Sequence, residues 1–213
     1  MILDNDVKEI IATEEDIDRM CRSLGERITK DFEGKEVVFV GLLNGCNPFF
    51  TDLLKRVDLK VQVDYMRASS YHGTIKSSSE VKILKDLDLS IKGKHVIVVD
   101  DIIDTGKTLK SIVNILKYKG ALSVTSCVLL DKASAREEDY DAKYVGVVIP
   151  NKFVVGYGLD YNEYYRNLPY IGVLSEKVYE GRWLNWTKTI NNPKTNNQKE
   201  NSIGQILLLF WLL

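Results

Sequence analysis

Residues 95–109 read HVIVVDDIIDTGKTL. The stretch begins with a continuous β-branched apolar run, as expected of a strand that is buried on both faces. Three carboxylates follow or end this run, Asp100, Asp101 and Asp104, and a Thr-Gly-Lys-Thr turn then leads into apolar residues at helical spacing. A buried strand that runs directly into a polar turn and a helix is typical of α/β folds. The stretch therefore predicts a parallel sheet with ligand-binding groups at the carboxyl end of one strand.

The rest of the chain alternates apolar runs with helical patterns. Further strands are predicted at residues 37–40, 61–65, 96–99, 124–130 and 145–149. Thr13 and Asp16 form a capping-box pattern before apolar residues at helical spacing, which predicts a helix. Residues 41–47 are interpreted as a loop, and Pro48 as the start of another helix. The predicted fold class is α/β, with a parallel central sheet and helices on both faces.

The composition argues against several classes of protein. The 213 residues are 45% hydrophobic, which is enough for one sizeable core. The net charge of -1 argues against a surface that binds nucleic acid or an anionic membrane. Three cysteines without a CxxC pair, and two histidines, disfavour a disulfide framework or a multi-histidine metal site. Because the acidic N-terminus also lacks the order of a signal peptide, we expect a reduced, cytoplasmic setting.

The turn at residues 105–108 predicts a phosphate-binding site. Its backbone N–H groups and hydroxyls can face a phosphate, the following helix dipole favours the anion, and Gly106 permits close approach. A nucleotide-binding P-loop is excluded because that motif needs glycine where this chain has Asp101. Asp100 and Asp101 need a cationic or hydrogen-bonding partner, which ribose hydroxyls and magnesium would provide, and Asp104 suits a general acid or base. The alternative is that the three acids are solvated capping residues.

This motif resembles the phosphoribosyl pyrophosphate motif of the type I phosphoribosyltransferases. The matching residues are VVDDIIDTGKTL, 98–109. The resemblance implies the type I fold, including a small hood region beside the main sheet. It also implies that Asp100 and Asp101 hold the ribose hydroxyls and magnesium, and that Asp104 accepts the proton of the purine imidazole nitrogen. The residues implied to bind the 5-phosphate are Thr105, Gly106, Lys107 and Thr108.

Two later segments resemble the hypoxanthine-guanine phosphoribosyltransferases. In LLDKASAR, Lys132 follows a predicted strand, where a lysine donor would select 6-oxopurines over adenine. The segment NKFVVGYGLDYNEYYRNLPYIGVL resembles the C-terminal signature of that family. It implies that Phe153 stacks on the purine, that Val154 contacts the purine edge through its backbone, that Asp160 helps to bind magnesium, and that Arg166 binds pyrophosphate. Taken alone, Lys132 would be solvated surface and Phe153 a core residue.

Two loops extend the resemblance. LLNGCNPF matches the family's pyrophosphate loop in part, because members carry Leu-Lys-Gly where this chain has Leu43-Asn44-Gly45. The resemblance implies a cis peptide bond there and pyrophosphate binding by Asn44 and Gly45. Residues 68–80 are rich in Ser, Gly and Thr and predict a mobile surface loop, with Ser70 and Tyr71 where the family's lid closes. The alternative for this loop is an inert hairpin tip.

The resemblance spans residues 5–182 and implies a purine-salvage enzyme. Such an enzyme would form IMP or GMP and pyrophosphate from hypoxanthine or guanine and phosphoribosyl pyrophosphate, with Mg2+, as a homodimer or homotetramer. One alternative is a non-catalytic regulator that senses phosphoribosyl pyrophosphate, and another is an enzyme that prefers xanthine or a pyrimidine. A regulator should lack the base-recognition set, whereas this chain retains Asp104, Lys132, Phe153 and Asp160.

The predicted phosphoribosyltransferase domain covers residues 1–186, and residues 187–213 are interpreted as a tail. Residues 191–202 are rich in Asn and Lys and are predicted to be disordered. Residues 206–213 are all apolar, but so short a run falls far below the roughly 20 residues that span a bilayer. The tail is therefore either a non-functional extension or a weak anchor to a membrane or partner.

Overall fold

The structure is a computed structural model that describes residues 5–70 and 81–178. Contacts divide the chain into two units, Met1–Leu174 and Ser175–Leu213. The first unit carries the strands and helices below, and residues 175–178 are the described part of the second. The predicted boundary at residue 186, the predicted tail of residues 187–213 and Tyr71 lie outside the described residues.

The first unit contains a central sheet and a smaller one. In chain order the strands are β1 (Val7–Ala12), β2 (Val37–Leu43), β3 (Val61–Ser70), β4 (Val81–Lys85), β5 (His95–Ile103), β6 (Ser123–Asp131), β7 (Tyr144–Val148), β8 (Val154–Val155) and β9 (Ile171–Leu174). The helices are α1 (Glu14–Asp31), α2 (Asn47–Leu54) and α3 (Lys107–Tyr118), and residues 133–135 form a 3-10 turn. Among residues 5–70 and 81–178, no helix has the length and apolar character needed to cross a membrane.

The central sheet has six strands in the order β4-β3-β2-β5-β6-β7. The five strands β2, β3, β5, β6 and β7 are parallel, and β4 lies antiparallel to β3 at one edge. The predicted parallel sheet is confirmed, whereas β4 was not predicted. The carboxyl ends of β5 and β6 lie side by side, because Ile103 pairs with Asp131. This adjacency places the loops after β5 and β6 at one edge of the sheet.

Several strands continue further than the sequence predicted. Residues 41–43 belong to β2 and pair with β3, so the predicted loop at residues 41–47 is wrong there, and Asn47 already belongs to α2. Residues 68–70 belong to β3 and pair with β4, so the predicted loop at 68–80 is wrong at its start. Glycine, serine and charged residues lower the apolar signal of a strand, but their backbone N–H and C=O groups still pair with the neighbouring strands.

Helices cover both faces of the central sheet, as predicted. Alternate residues of β2 point to opposite faces. Phe39 packs in the core that includes α1 and α2, whereas Val38 and Val40 pack in the core that includes α3. Each fully buried side chain of this size contributes about 1.5–3 kcal/mol. The predicted capping box is also confirmed: the Asp16 N–H donates to Oγ1 of Thr13 at 3.2 Å, and the Thr13 N–H donates to the Asp16 carboxylate at 3.0 Å.

The smaller sheet is antiparallel, with the order β1-β9-β8. It joins β1 to residues 154–174, which include three of the predicted site residues, Val154, Asp160 and Arg166. This sheet corresponds to the small hood region implied by the family resemblance. Its strands were not predicted, because β8 has two residues and β1 reads VKEIIA, which is neither continuous nor alternating in hydrophobicity.

The three cysteines are free and buried. Cys21 lies in α1, Cys46 precedes α2, and Cys127 lies in β6. Burial raises the pKa of Cys21 to about 11, and it raises the pKa values of Cys46 and Cys127 above the ordinary thiol value as well. The nearby acids Asp100 and Asp101 add to the shift at Cys46. All three thiols are therefore protonated at neutral pH.

Asp64 is a buried carboxylate that fastens the segment after β4 onto β3. It is 6% exposed, and its two oxygens accept the N–H groups of Tyr65 at 2.7 Å, Asp88 at 2.8 Å and Leu89 at 2.8 Å. Burial raises the pKa of Asp64, but these N–H groups and Lys85 outweigh burial and lower it below its usual value. The ionised carboxylate thus stabilises the folded state.

Asp64→Asn is expected to lower the free energy of unfolding at pH 7 by about 1–3 kcal/mol, because an amide NH2 group cannot accept an N–H bond. The pKa of Asp64 is lower in the folded state than in the unfolded state. Its contribution is therefore complete above the unfolded pKa and declines as the pH falls through the folded pKa. Urea unfolding at several pH values tests this. A matched Asp58→Asn change, at an exposed carboxylate, should have little effect, and a pH-independent difference at Asp64 would contradict the prediction.

Candidate active site

Asp100 and Asp101 lie at the carboxyl end of β5 and are half-buried. The N–H of Asp101 donates to Oδ1 of Asp100 at 3.1 Å, and the N–H of Ile102 donates to Oδ1 of Asp101 at 2.9 Å. Removal from water, followed by the charge of Asp101, raises the pKa of Asp100. Removal from water also raises the pKa of Asp101, although the charge of Arg166 opposes the shift. A divalent cation or sugar hydroxyls would stabilise the ionised form of this pair.

The predicted phosphate turn leads directly into α3. Gly106 is the N-cap with φ of 85°, a left-handed conformation that favours glycine. The first N–H groups of a helix have no intrahelical acceptor, so this end of α3 can bind an anion. Thr105 and Thr108 are half-buried beside it. The Lys107 ammonium is ion-paired with Glu137, and the Lys107 N–H lies 3.4 Å from Oγ1 of Thr105. The binding of a 5-phosphate by Thr105, Gly106, Lys107 and Thr108 stays a prediction.

The loop after β2 packs directly against the acid pair. The peptide bond between Leu43 and Asn44 is cis, at the position that the resemblance implied. A Cβ atom on Gly45 would overlap with Oδ2 of Asp101, and a Cβ atom on Gly158 would overlap with the carbonyl oxygen of Gly45. Glycine is therefore required at both positions for this packing. The structure thus brings three distant segments together around Asp101.

Arg166 and Asp160 form an ion pair in the C-terminal signature. The Arg166 guanidinium lies 2.8 Å from Oδ1 of Asp160 and donates to the Gly158 carbonyl at 2.7 Å and to Glu163 at 2.9 Å. The other Asp160 oxygen accepts the Glu163 N–H at 2.9 Å. Gly158, whose carbonyl accepts from Arg166, packs against Gly45, and Gly45 packs against Asp101, so the predicted pyrophosphate residue is linked to the acid pair through these contacts.

The carboxylates present fit a magnesium ion that arrives with its substrate. Within residues 5–70 and 81–178, no three His, Cys, Asp or Glu side chains are placed to hold a metal by themselves. Mg2+ usually binds through one or two carboxylates, with water and substrate phosphates as its other ligands. Asp100 and Asp101 provide such oxygens, while Asp160 is engaged by Arg166. The predicted metal ligands Asp100, Asp101 and Asp160 stay a prediction.

Of the predicted base-binding residues, Lys132 directly follows β6, Phe153 directly precedes β8, and Val154 lies in β8. Lys132 is 8% exposed, with its ammonium 3.8 Å from Oδ2 of Asp104. Phe153 is 42% exposed and lies edge-on to Tyr161, with ring centroids 5.8 Å apart. Lys132 is therefore not solvated surface and Phe153 is not a core residue, so both alternative interpretations were wrong. The Val154 side chain is buried in β8, which leaves its backbone as the group that could contact a base.

Residues 8–162 match the family model described as the phosphoribosyl transferase domain. This chain belongs to the phosphoribosyltransferase family. It is 52% identical over 175 residues to a hypoxanthine-guanine phosphoribosyltransferase of Staphylococcus aureus, covering 82% of this chain and 98% of that protein. A Streptococcus agalactiae protein of the same name is 51% identical over 178 residues, covering 84% and 99%. The crystal structure of a Staphylococcus aureus hypoxanthine phosphoribosyltransferase matches with a TM-score of 0.81 and 51% identity, covering 84% and 97%.

The site of this phosphoribosyltransferase also contains residues that the sequence did not single out. The Tyr157 hydroxyl donates to Asp52 of α2 at 2.7 Å, which joins the C-terminal signature to the helix after the Asn44-Gly45 loop. Arg136 contacts the segment that carries Asp104. Arg136 ends the LLDKASAR segment, but its contact could not be predicted from residue type, because its partner there is a backbone carbonyl. Ser70 ends β3 and Tyr71 is outside the described residues, so the lid stays a prediction.

Proposed function

We propose that this phosphoribosyltransferase forms IMP or GMP and pyrophosphate from hypoxanthine or guanine and phosphoribosyl pyrophosphate. One observation carries the proposal. Lys132, suited to a 6-oxopurine, lies 3.8 Å from Asp104, which follows the ribose-binding acid pair. A sugar held by the acids and a base held by the lysine would therefore meet beside one carboxylate. Relatives that are 51–52% identical and named for this activity support the same substrate pair.

The sugar phosphate would bind across the end of β5. Asp100 and Asp101 accept hydrogen bonds from ribose hydroxyls, and the first N–H groups of α3 bind the 5-phosphate. Thr105 and Thr108 add hydroxyl donors beside those N–H groups. Asp100 and Asp101 would hold a magnesium ion, whose positive charge would stabilise the pyrophosphate leaving group. Arg166 and the backbone of the Asn44-Gly45 loop hold the same leaving group.

The purine would bind between the end of β6 and the hood. Lys132 donates to the 6-oxo oxygen, and since an ammonium cannot accept a hydrogen bond, it disfavours the 6-amino group of adenine. Phe153 stacks on the ring, and the backbone of Val154 contacts the opposite edge. This arrangement leaves the imidazole side of the purine facing the sugar.

In the reaction, a purine ring nitrogen forms a bond with the anomeric carbon while the bond from that carbon to pyrophosphate breaks. The electron pair of the broken bond leaves with pyrophosphate, next to the Arg166 guanidinium. The purine loses its ring N–H proton, which Asp104 accepts. Most of the rate enhancement would come from alignment and from fixed charges around the sugar.

The two alternatives from the sequence make different predictions. A non-catalytic sensor of phosphoribosyl pyrophosphate has no need for a buried lysine beside Asp104, so the placement of Lys132 favours an enzyme. Xanthine shares the 6-oxo group that Lys132 would recognise, so selection among the three purines depends on groups that face C2.

Cytoplasmic location and assembly as a homodimer or homotetramer are further proposals. Light scattering of the purified protein tests the oligomeric state.

The proposal predicts Mg2+-dependent formation of nucleoside monophosphate and an equal amount of pyrophosphate from hypoxanthine or guanine. Lys132→Met should lower kcat/KM for both bases about 10- to 100-fold, since a charged hydrogen bond to the substrate is lost. Product formation from hypoxanthine, guanine, xanthine, adenine and uracil is measured in parallel. Lys60→Met, at an exposed lysine, should match the wild type. Binding of phosphoribosyl pyrophosphate without product from any base would instead identify a sensor.

A further inference from the structure

The segment between β6 and β7, residues 132–143, holds the turn that carries Asp104. We call this segment the β6–β7 connector. The Lys132 N–H donates to the carbonyl of Ile103 at 2.9 Å, and the N–H groups of Glu137 and Glu138 both donate to the carbonyl of Thr105 at 3.0 Å. The carbonyl groups on either side of Asp104 are therefore fixed by backbone hydrogen bonds to the connector.

The carbonyl of Asp104 itself is held by a side chain. One terminal nitrogen of Arg136 donates to the carbonyl oxygen of Asp104, and the other donates to Oδ1 of Asp131 at 2.5 Å. The side chains of Arg136 and Asp131 are 12% and 11% exposed. The Arg136 Cδ also lies 3.1 Å from the place that a Cβ atom on Gly106 would take. Arg136 is thus packed beneath the turn and joins it to the end of β6.

We propose that Arg136 is a positioning residue for Asp104, a role that rests on the proposed function. The Asp104 side chain is 49% exposed, and within the described residues its one ion pair is with Lys132, at 3.8 Å. Its carboxylate therefore depends on its backbone for placement against the purine. Three consecutive carbonyl groups are fixed by the connector, and the central one is fixed by the guanidinium.

The chemistry of arginine suits this role. Its planar guanidinium presents two terminal nitrogens in fixed directions, so one group can bind Asp131 and the Asp104 carbonyl together. A lysine ammonium could reach one of the two partners in good geometry. In the structure one terminal nitrogen donates to Oδ1 of Asp131 and the other donates to the Asp104 carbonyl.

The test compares four variants: Arg136→Met, Arg136→Lys, Asp131→Asn, and Arg136→Met combined with Asp131→Asn. Arg136→Met keeps the aliphatic stem against Gly106 but loses both hydrogen bonds. Because it leaves Asp131 buried without a cation, it should be destabilised. The double variant removes both charges and keeps the proposal testable if the single variant does not fold. Asp131→Asn weakens the buried pair but leaves Arg136 able to bind the Asp104 carbonyl.

The readout is the single-turnover rate per folded molecule, with hypoxanthine and with an analogue whose imidazole ring is a more acidic triazole. A more acidic base needs less help from a general base. We expect both variants with Met at position 136 to be at least about 10-fold slower with hypoxanthine, and clearly less impaired with the analogue. Arg136→Lys should recover part of the rate. Asp131→Asn should keep the wild-type rate within about 3-fold despite lower stability.

Other results overturn the proposal. Wild-type rates in both variants with Met at position 136, or an equal loss with the two bases, would show that Arg136 has a structural role only. An Asp131→Asn rate as low as that of Arg136→Met would show that the buried pair, and not the contact with Asp104, matters. A wild-type protein that forms no nucleotide from any base would remove the proposed function together with this inference. A wild-type protein that turns over while the variants match it would remove the inference alone.

Discussion

A Gly45→Ala variant is expected to lose about 100-fold in kcat/KM, the size of effect that displacement of a reacting group by about 1 Å produces. The added methyl group would overlap with Oδ2 of Asp101. Since the side chain of Asp101 is short, the carboxylate must turn away from the place where it faces the substrate. The loss should therefore appear as weaker binding of phosphoribosyl pyrophosphate and as slower turnover.

Steady-state kinetics and thermal unfolding of the same preparation separate this effect from a loss of folded protein. Gly34→Ala is the matched control, because Gly34 has φ of 72° in open space and no contact with the site. The control should lose about 1–2 kcal/mol of stability through backbone strain and keep its activity. If Gly45→Ala keeps wild-type kinetics, the proposed packing of the loop on Asp101 is wrong.

Asp104→Asn is expected to slow turnover by about 100-fold or more with little change in the affinity for phosphoribosyl pyrophosphate. An amide cannot take the purine proton, and general-base help contributes about 10²–10⁴-fold. The substitution changes neither the backbone N–H groups of the turn nor the acid pair before it. The sugar phosphate should thus bind normally while the chemical step is slow.

Single-turnover kinetics together with direct titration of phosphoribosyl pyrophosphate binding test this prediction. Asp58→Asn, at an exposed carboxylate outside the site, serves as the control. Unchanged turnover in Asp104→Asn would remove Asp104 from the mechanism. A loss of substrate affinity that accounts for the whole effect would give Asp104 a binding role instead.

The sequence predicted those parts of the fold that have a local signal. The buried run before Asp100 predicted β5 because a strand covered on both faces is continuously apolar. The capping box at Thr13 predicted the start of α1 because its hydrogen bonds are local. In contrast, β4 has five half-buried or exposed residues and β8 has two residues, so neither has a distinctive period. Their existence depends on pairing with strands that are distant in the chain.

In the candidate site, too, some features were predicted from the sequence and others were not. Family resemblance pointed to Asp104, Lys132 and Arg166, and the structure places the first two 3.8 Å apart. The close packing of Gly45 against Asp101 and the hydrogen bond from Arg136 to the Asp104 carbonyl were not predicted. Both are contacts that involve backbone atoms or a missing side chain, between segments far apart in sequence. The residue types in a single sequence do not show which distant segments make such contacts.

The rate at which the buried cysteines react with a thiol reagent can measure local opening of this protein. A thiol must be exposed and deprotonated before it can react with a disulfide reagent, so labelling of the native protein measures transient opening. Cys46 adjoins the loop that contacts Asp101, whereas Cys127 lies in the middle of β6, within the central sheet. Labelling of Cys46 therefore follows local opening around the Asn44-Gly45 loop, and labelling of Cys127 follows opening of the central sheet. Comparing the two rates with and without nucleotide would map which part of the molecule the ligand rigidifies.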